Sequence, residues 1–433
     1  MLSPVSSGTA PVERGPHRDT AASGGAAALG RRVEVTVAPD GLLIQGAKIF
    51  DGHRFLPPGC LLVREGRVAA LAERLTPPAG VPVLDAGGST LLPGLIDAHV
   101  HVLPGALQAA LRAGVTTEVD LFADPHLVEL LRQQAAADPG AADLRSAGIG
   151  ATAPGGHPTQ LVERGLLPPF PTVAGPEEAE AFVAARVAEG SHLLKVVLED
   201  GTTTGHPCPT LSADTVRALV SAAHARGLVV VAHVLTQAHA LVAIGAGVDG
   251  LAHLFVDEPP APQFLDAVAQ GDVFVVPTLT SLAARTGHHR GRALAADPHL
   301  GPSLDPSQRA GLEMDFPSAP GARADLGHAM STVDRLHRAG RRILAGTDAA
   351  SPGTAHGVSL HDELHLMVEA GLPTAAALAA ATSAPAAALG LPDRGTLTPG
   401  LRADLLLVDG DPELDITATR RVAQVWRAGR PAR

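Results

Sequence analysis

The sequence Leu92-Pro93-Gly94-Leu95-Ile96-Asp97-Ala98-His99-Val100-His101 decides the fold class of this 433-residue chain. It contains a mostly apolar run, which is typical of a buried β-strand, and we predict a strand over Gly94–Val102. Side chains two residues apart in a strand point to one face, so His99 and His101 are expected to lie together at its end.

Runs of the same kind recur along the chain and alternate with helical patterns. The further strand candidates are Val115–Phe122, Leu144–Ala151, Leu193–Glu199, Leu228–Val234, Val248–Phe255, Val273–Leu279 and Arg342–Thr347. The clearest helical patterns are Pro125–Ala136, Pro176–Ala188, Ser212–Arg226, Gln237–Gly245 and Arg323–Ala339. This alternation predicts an α/β fold, a (β/α)8 TIM-like barrel over residues 93–391. A doubly wound open sheet is the alternative, because alternation alone does not show that the sheet closes.

The two ends of the chain differ from this middle part. Residues 33–92 contain short apolar or alternating runs, such as Val33–Val37, that are separated by turn residues. The same style returns in Ala403–Gly410, so we predict one small β-sandwich domain composed of residues 33–92 plus 392–433. Residues 1–32 are rich in Ala, Gly, Ser and Pro and are predicted to form a disordered tail.

Composition excludes several classes of function. The net charge is −11 and no basic block is present, which argues against a nucleic-acid partner. No apolar stretch reaches the ~18–20 residues of a membrane span, so no membrane association is expected. The only cysteines, Cys60 and Cys208, exclude a disulfide scaffold and a four-cysteine zinc site, and they suit a reducing cytoplasm.

Lysine usage singles out one residue. The chain has 33 Lys and Arg residues, of which only Lys48 and Lys195 are lysines, and Lys195 lies within the apolar strand candidate Leu193–Glu199. A buried ammonium is costly, so a buried lysine is usually neutralised, paired or used chemically. Arginine cannot replace it in amine chemistry, because a guanidinium does not lose its proton in proteins. The alternative is a lysine whose head reaches a loop at the strand end.

Potential metal ligands stand at the ends of four predicted strands, and a fifth strand contributes the lysine. The active sites of such barrels lie at the carboxyl ends of the strands, so these side chains can converge. A single histidine at a strand end is more often structural, but the whole set favours a divalent metal that serves hydrolysis. Its members are His99, His101, Lys195, His233, His253 and Asp348.

The chain resembles the amidohydrolase superfamily, within its imidazolonepropionase-like and prolidase-like branch. The resemblance covers nearly everything after the N-terminal tail. It rests on Leu92–His101, on Gly114-Val115-Thr116-Thr117, on Ala345-Gly346-Thr347-Asp348, on Leu360-His361-Asp362-Glu363-Leu364, and on Gly400-Leu401-Arg402-Ala403-Asp404-Leu405-Leu406.

The resemblance implies a binuclear metal centre. His99, His101 and Asp348 would bind one ion, His233 and His253 the other, and Lys195, carboxylated by CO2, would bridge both. A bridging hydroxide would be the nucleophile, with Asp348 as general base and then acid. Zinc is the expected metal, although such ligands also admit Mn, Co or Fe. The implied reaction is hydrolysis of an amide-type C–N bond in a small molecule: an N-acyl amino acid, a dipeptide or a cyclic amide.

Further residues are weaker candidates. His157 and His206 lie in loops after predicted strands and are candidates for substrate contact, whereas Cys208 is expected to be a passive thiol. Two histidine pairs are not expected to bind metal: His288 with His289, and His361 with His365. Substrate specificity is expected in the loops 152–175, 200–210 and 280–305.

Two other functions stay open. One is a mononuclear ring-opening hydrolase or deaminase of the same superfamily, in which His253 contacts substrate and Lys195 is incidental. The other is a non-catalytic binding protein on the same barrel. The chain also departs from the family pattern at Glu118-Val119-Asp120, at His192 and in having no Tyr, which leaves the substrate class open. Self-assembly into a homo-oligomer is open as well.

Overall fold

The structure is a computed structural model that describes residues 41–317 and 324–432. The predicted tail 1–32 and the strand candidate Val33–Val37 therefore lie outside the described residues. Among the helices of the described part, none is long and apolar enough to span a bilayer.

Both ends of the chain contribute to one eight-stranded sheet. Its strands are β1 (Leu42–Phe50), β2 (Phe55–Arg64), β3 (Arg67–Ala72), β4 (Val83–Asp85), β5 (Ser89–Pro93), β13 (Leu405–Asp409), β14 (Val422–Arg427) and β15 (Arg430–Pro431). The order is β15-β14-β13-β5-β1-β2-β3, with β4 paired to β1. The antiparallel pair β13–β5, in register from Leu405↔Pro93 to Asp409↔Ser89, joins the two ends.

This sheet curls around its own core. A bridge between Arg67 and Arg402 brings the β3 edge back to the segment before β13. Trp426, the only tryptophan, is fully buried there among residues such as Leu61 and Leu405. The small β-domain built from both termini is thus confirmed, while its exact limits stay a prediction.

The middle of the chain provides seven parallel strands. They are β6 (Leu95–Val100), β7 (Val115–Asp120), β8 (Asp143–Ser146), β9 (Leu193–Leu198), β10 (Val229–Val234), β11 (Gly250–Ala252) and β12 (Phe274–Val276). Two runs form regular ladders, β6-β7-β8 and β9-β10-β11-β12. Single parallel bridges close the ring: Ala151 with Val196, Val275 with Ile343, and Val100 with Ala349. The closed ring confirms the barrel and excludes the open sheet.

The eighth position in the ring is filled by residues 343–349, without a regular ladder. The Ala98 amide donates to the Ala345 carbonyl at 2.9 Å, and the Leu344 amide donates to the Val275 carbonyl at 2.9 Å. A Cβ at Gly346 would lie 2.8 Å from the backbone nitrogen of His99, so only glycine allows this approach. The predicted strand Arg342–Thr347 therefore has the right place but is too irregular for ladder pairing.

Several barrel strands end earlier than predicted, because a residue with positive φ stops each of them. Gly148 (φ 63°) follows β8, His253 (φ 60°) follows β11 and Thr278 (φ 51°) follows β12. The chain turns out of the ladder at these positions, which is where the site is formed.

Helices cover the outside of the barrel and fill its loops. They are α1 (Ala106–Arg112), α2 (Pro125–Ala137), α3 (Thr159–Glu163), α4 (Ala179–Ala188), α5 (Ala213–His224), α6 (Gln237–Gly245), α7 (Pro262–Gln270), α8 (Leu279–Arg285), α9 (Arg290–Ala295), α10 (Pro306–Glu313), α11 (Leu326–Arg338), α12 (Val358–Glu369), α13 (Thr374–Ala380) and α14 (Ser383–Ala388). Short 3-10 turns lie at Pro176–Glu178, Gly301–Ser303 and Ile416–Arg420. Side-chain caps fix several starts, for example Asp124 before α2 and Ser212 before α5.

Candidate metal centre

The alternation of strand side chains aims the site residues into the barrel. Leu193 of β9 and Val231 of β10 belong to the apolar cluster that fills the barrel interior. Lys195 and His233 stand two residues later on the same strands, so they share that inward face. β9 and β10 pair with Val231 opposite Lys195 and His233 opposite Val197, so Lys195 lies level with Val231 and His233 lies nearer the carboxyl ends of the strands.

Histidines from three strand ends and one aspartate meet above this filling. Asp348 Oδ1 lies 3.0 Å from His101 Nε2 and 3.4 Å from His99 Nε2. The ring centroid of His253 lies 4.8 Å from that of His99 and 4.7 Å from that of His233. One ligand atom from each of His99, His253 and Asp348 falls within 4.8 Å of the others, close enough to bind one ion.

Lys195 lies close enough to these histidines to change their pKa values. It is 2% exposed, and its charge, together with the dominant effect of burial, lowers the pKa of His99, His233 and His253. Burial lowers the pKa of Lys195 itself to about 7, against the opposing charges of Asp348 and Asp120. A neutral amine is therefore accessible at this position near neutral pH. The name metal-ligand cluster is used below for His99, His101, Lys195, His233, His253 and Asp348.

Two members of this cluster have buried polar atoms without partners. Lys195 Nζ, and both ring nitrogens of His99, have no hydrogen-bond partner among the described residues. Leaving such an atom unsatisfied costs about 1–3 kcal/mol each, more for a charge. Imidazole nitrogens and a carboxylate fit a divalent metal ion, and the orphaned atoms are those that a metal or a lysine modification would satisfy.

Neighbouring groups orient the ligands. The Thr278 hydroxyl donates to the Pro277 carbonyl at 2.8 Å and lies 2.6 Å from His253 Nδ1, so it accepts the Nδ1 proton. His101 Nδ1 lies 3.2 Å from the Phe122 carbonyl, which can only accept. Both contacts leave Nε2 with its lone pair for a metal, the arrangement usual for histidine ligands.

Two serine hydroxyls orient the carboxylate of Asp348. The hydroxyls of Ser281 and Ser351 donate to Oδ2 at 2.7 and 2.9 Å. Oδ1 is thereby left to face His99 and His101. Burial alone would raise the pKa of Asp348, but the adjacent histidines and Arg285 hold it well below the usual range, so the carboxylate is ionised.

The backbone is strained at this centre. His253, Thr278 and Asp348 (φ 59°) have positive φ, and they are three of the six non-glycine residues with positive φ in the described ranges. Each such conformation costs about 1–3 kcal/mol and persists only where the surroundings impose it. This concentration of strain is typical of a functional site.

One buried carboxylate at the site had not been singled out from the sequence. Glu199 directly follows β9, and its Oε2 lies 3.4 Å from His233 Nε2. Burial opposes its ionisation, but the hydrogen bond and charge of His233 bring its pKa down to about 2. The available signal was an acidic residue at the end of an apolar strand, the same signal that identified Asp348.

The two candidate substrate histidines differ in position. The His157 ring stacks on that of His233 with centroids 5.3 Å apart, and its Nδ1 lies 2.7 Å from Gln160 Nε2. Burial lowers the pKa of His157 to about 3, so the ring is neutral. His206 is exposed in the loop after β9. His157 therefore lies next to the cluster, whereas His206 lies outside it. Contact with substrate stays a prediction for both residues.

The other residues noted from the sequence have structural surroundings. His361 Nε2 lies 2.9 Å from the Ala113 carbonyl, and His192, at the opposite end of β9 from the site, lies between Arg132 and Arg145. Glu118 is buried against His356 at 2.9 Å. The Cys208 thiol lies 3.4 Å from the Glu199 carbonyl. Three further histidines were not expected to bind metal, and they lie outside the group formed by His99, His253 and Asp348: His288, His289 and His365.

A comparison with known protein families identifies the family of this chain. The model of the amidohydrolase family matches residues 90–432. The chain belongs to the amidohydrolase family. This amidohydrolase is therefore a metal-dependent hydrolase of C–N bonds, as predicted.

Individual relatives agree with the predicted branch. Imidazolonepropionase of Deinococcus radiodurans is 28% identical over 428 residues, covering 89% of this chain and 94% of its own. A crystal structure of a Xaa-Pro dipeptidase with bound methionine superposes with a TM-score of 0.74 at 23% identity, covering 90% of this chain and 99% of the other. Ochratoxinase of A. niger superposes with a TM-score of 0.70 at 20% identity, covering 90% and 95%. At these identities the two structures show a shared fold with this amidohydrolase.

Proposed function

We propose that this amidohydrolase cleaves an amide bond of a small molecule, such as an N-acyl amino acid, a dipeptide or a cyclic amide, at a binuclear centre. The ions would be bound by His99, His101 and Asp348 on one side and by His233 and His253 on the other. The observation that carries the proposal is the convergence of these groups with Lys195 on one buried spot, where several of their atoms lack partners. Zinc is the proposed metal.

Lys195 would bridge the two ions after carboxylation. Its neutral amine attacks the carbon of CO2, a C–N bond forms, and one amine proton leaves to solvent, which gives a carbamate anion. The chain supports this step with the burial of Lys195, the lowered pKa of its amine and an unpartnered Nζ. The carbamate changes a poorly tolerated buried cation into an anion that complements metal ions.

When bound, the metal supplies Lewis acidity toward the scissile carbonyl and lowers the pKa of water at the site. Asp348 is suited to accept the proton from that water and to return it to the leaving nitrogen. Ser281 and Ser351 fix its Oδ2, so that Oδ1 faces the reaction centre. His157 and Glu199 line the same space beside His233 and are positioned to orient a substrate.

A mononuclear enzyme that binds its ion with His99, His253 and Asp348 is the second candidate. It differs from the mononuclear alternative drawn from the sequence, in which His253 contacts substrate, and one observation favours it. Only His99, His253 and Asp348, within the described ranges, bring their ligand atoms within 4.8 Å of one another. Such a site needs one ion and has no use for a bridging Lys195. Metal content per chain therefore separates the two candidates.

The experiment is an assay of the metal-reconstituted enzyme against N-acyl amino acids, dipeptides and cyclic amides. Amide hydrolysis should be lost in Asp348→Asn and retained in Asp411→Asn, a matched change of a carboxylate in the β-domain. Fully active enzyme should contain two ions per chain. Full activity with about one ion per chain would reject the binuclear proposal, and no hydrolysis of any panel member would reject the substrate class.

Location and assembly are also proposals. Cys60 and Cys208 are unbonded, and the net charge is −11. These features support a reducing cytoplasm and argue against a nucleic-acid partner. Size-exclusion chromatography with light scattering would determine whether the enzyme forms a homo-oligomer.

A further inference from the structure

The start of α8 carries two side chains that hold members of the metal-ligand cluster. The Thr278 hydroxyl, just before the helix, accepts from His253 Nδ1 at 2.6 Å. The Ser281 hydroxyl, in the first turn, donates to Asp348 Oδ2 at 2.7 Å. His253 and Asp348 come from different parts of the barrel, so their relative position depends on where this one helical turn lies.

Thr278 does not cap α8 in the usual way, because its hydroxyl is used elsewhere. The residue before a helix commonly accepts from one of the first backbone amides with its side-chain oxygen. Thr278 has a φ of 51°, and its side chain makes no such bond within the described part of the chain. Its hydroxyl instead donates to the Pro277 carbonyl and accepts from His253. The first amides of α8 therefore need another acceptor, since a buried amide without one costs about 1–3 kcal/mol.

Glu363, near the middle of α12, supplies these acceptors. Its Oε1 accepts from the Leu279 amide at 2.9 Å, and its Oε2 accepts from the Thr280 amide at 2.8 Å. The Thr280 hydroxyl lies 3.2 Å from the same Oε2 and 3.3 Å from the Thr347 carbonyl. Glu363 is fully buried, so these contacts are made away from solvent. A side chain of α12 thus performs the capping that the Thr278 hydroxyl does not.

The ionised form of Glu363 suits this contact best. Burial raises the pKa of Glu363 to about 8, and the hydrogen bonds from Thr280 and Leu279 act against burial. A negative charge is also favourable at the N-terminus of a helix. A glutamine at this position would turn an NH2 group toward one of the two amides, where only an acceptor can form a hydrogen bond.

We propose that Glu363 is a positioning residue of the metal centre, which it serves through the first turn of α8. By capping this turn, Glu363 leaves the Thr278 hydroxyl available to orient His253. The same contact fixes Ser281, whose hydroxyl then orients Asp348. The inference rests on the metal centre of the proposed function and extends the support of that centre to α12. Changing Glu363 should therefore alter metal binding and the chemical step together.

The test is a double-mutant cycle on metal affinity, measured by titration with a competing chelator. Glu363→Gln keeps the size of the side chain but loses one acceptor, and metal affinity should fall by roughly 10- to 100-fold. Thr278→Val should cause a loss of the same order. Because Glu363 acts through Thr278, the double variant should lose less than the product of the two single losses. Unchanged affinity in Glu363→Gln, or losses that multiply in the double variant, would overturn the positioning role.

Two further variants complete the cycle. Glu369→Gln, at the exposed end of α12, is the matched control and should bind metal as the wild type does. If Glu363→Gln does not fold, Thr280→Val takes its place, since it removes only the Thr280 hydroxyl from the same contact. A smaller loss of affinity is expected for Thr280→Val, and no loss would overturn the proposal.

Steady-state kinetics provide a second readout. At saturating metal, kcat of Glu363→Gln for an amide of the panel should fall while KM stays nearly unchanged, because Asp348 is displaced and the contacts to substrate are not. A raised KM with an unchanged kcat would overturn the positioning role. Turnover of no amide by the wild type would instead reject the proposed substrate class, and the cycle on metal affinity would still decide the role of Glu363.

Discussion

The metal-ligand cluster can be compared with a second buried charge cluster, which lies at the other end of the barrel strands. The second one, the Asp143 cluster, consists of Asp143, Arg394, Arg402 and Arg427. Asp143 begins β8, and its Oδ2 lies 2.6 Å from Arg394 and 3.0 Å from Arg402. Arg427 lies 3.8 Å from Oδ1. These arginines belong to the last 40 residues of the chain, so the cluster ties the C-terminal segment and β14 to the barrel.

The two clusters differ in whether their buried polar groups have partners. Asp143 accepts from two arginines, and Arg394 and Arg402 pair further with Asp393 and Asp404. In the metal-ligand cluster, Lys195 Nζ and both nitrogens of His99 stay without partners in the described part of the chain. Removing one partner of a paired buried charge destabilises the fold because the other charge is left uncompensated, whereas a buried charge without a partner needs a ligand. Changes in the Asp143 cluster should therefore act on stability, and changes in the metal-ligand cluster on activity.

The largest expected effect is on Lys195. Lys195→Ala should lower kcat by about 1,000-fold or more, because the ions that Lys195 is proposed to help hold would supply several kcal/mol of transition-state stabilisation. In metal-free protein the melting temperature of Lys195→Ala should not fall, since the change removes a buried amine that has no hydrogen-bond partner among the described residues. Lys48→Ala is the matched control: Lys48, the only other lysine, pairs with Asp411 and Glu413 in the β-domain. Undiminished turnover in Lys195→Ala would break the comparison.

Arg394→Met should lower stability and leave activity unchanged, the reverse of Lys195→Ala. It removes the shortest ion pair of the part-buried Asp143 while Arg402 remains 3.0 Å away, and we expect the free energy of unfolding to fall by about 1–3 kcal/mol. Turnover per folded molecule should remain as in the wild type. Denaturant titration together with an activity assay measures both quantities. A large loss of turnover in folded protein would show that the two clusters are not independent.

A smaller effect is expected at Thr278. Thr278→Val removes the acceptor for His253 Nδ1 while keeping the shape of the side chain, so metal affinity should fall by roughly 10- to 100-fold. Thr332→Val, at another buried threonine whose hydroxyl bonds only the His328 carbonyl, is the control. Titration with a competing chelator measures the affinities, and equal values for the two variants would contradict the orienting role.

The smallest effect concerns acid stability. Arg394 and Arg402 hold the pKa of Asp143 well below its usual range, against the effect of burial. Its pairing should therefore stabilise the fold fully above the unfolded pKa of about 3.9, and this contribution should be lost as the pH falls toward the folded value. The difference in unfolding free energy between wild type and Asp143→Asn should be constant from about pH 5 to 7 and shrink below about pH 4. A difference that grows toward acid pH would contradict this assignment.

The sequence was sufficient for the alternation of strands and helices and for the strand-end positions of the candidate ligands, because both follow from local pattern. Apolar runs placed Lys195 within a buried strand, and strand-end positions predicted the location of His233, His253 and Asp348. Closure of the ring could not be predicted from pattern, since it depends on isolated bridges such as Val100 with Ala349.

The roles of other site residues could not be predicted from the sequence for a different reason. Thr278 and Ser281 lie just after β12, where a positive φ at Thr278 starts α8 earlier than the apolar run suggests. Their roles depend on tertiary contacts with Asp348 and His253, and no local pattern encodes these contacts.

The most direct test of the central claim is a crystal structure of the enzyme reconstituted with zinc in bicarbonate buffer, with anomalous data at the zinc edge. We predict two anomalous peaks within the metal-ligand cluster and continuous density beyond Lys195 Nζ for a carboxylate that contacts both. A single peak next to a free Lys195 amine, in crystals of fully active enzyme, would contradict the account.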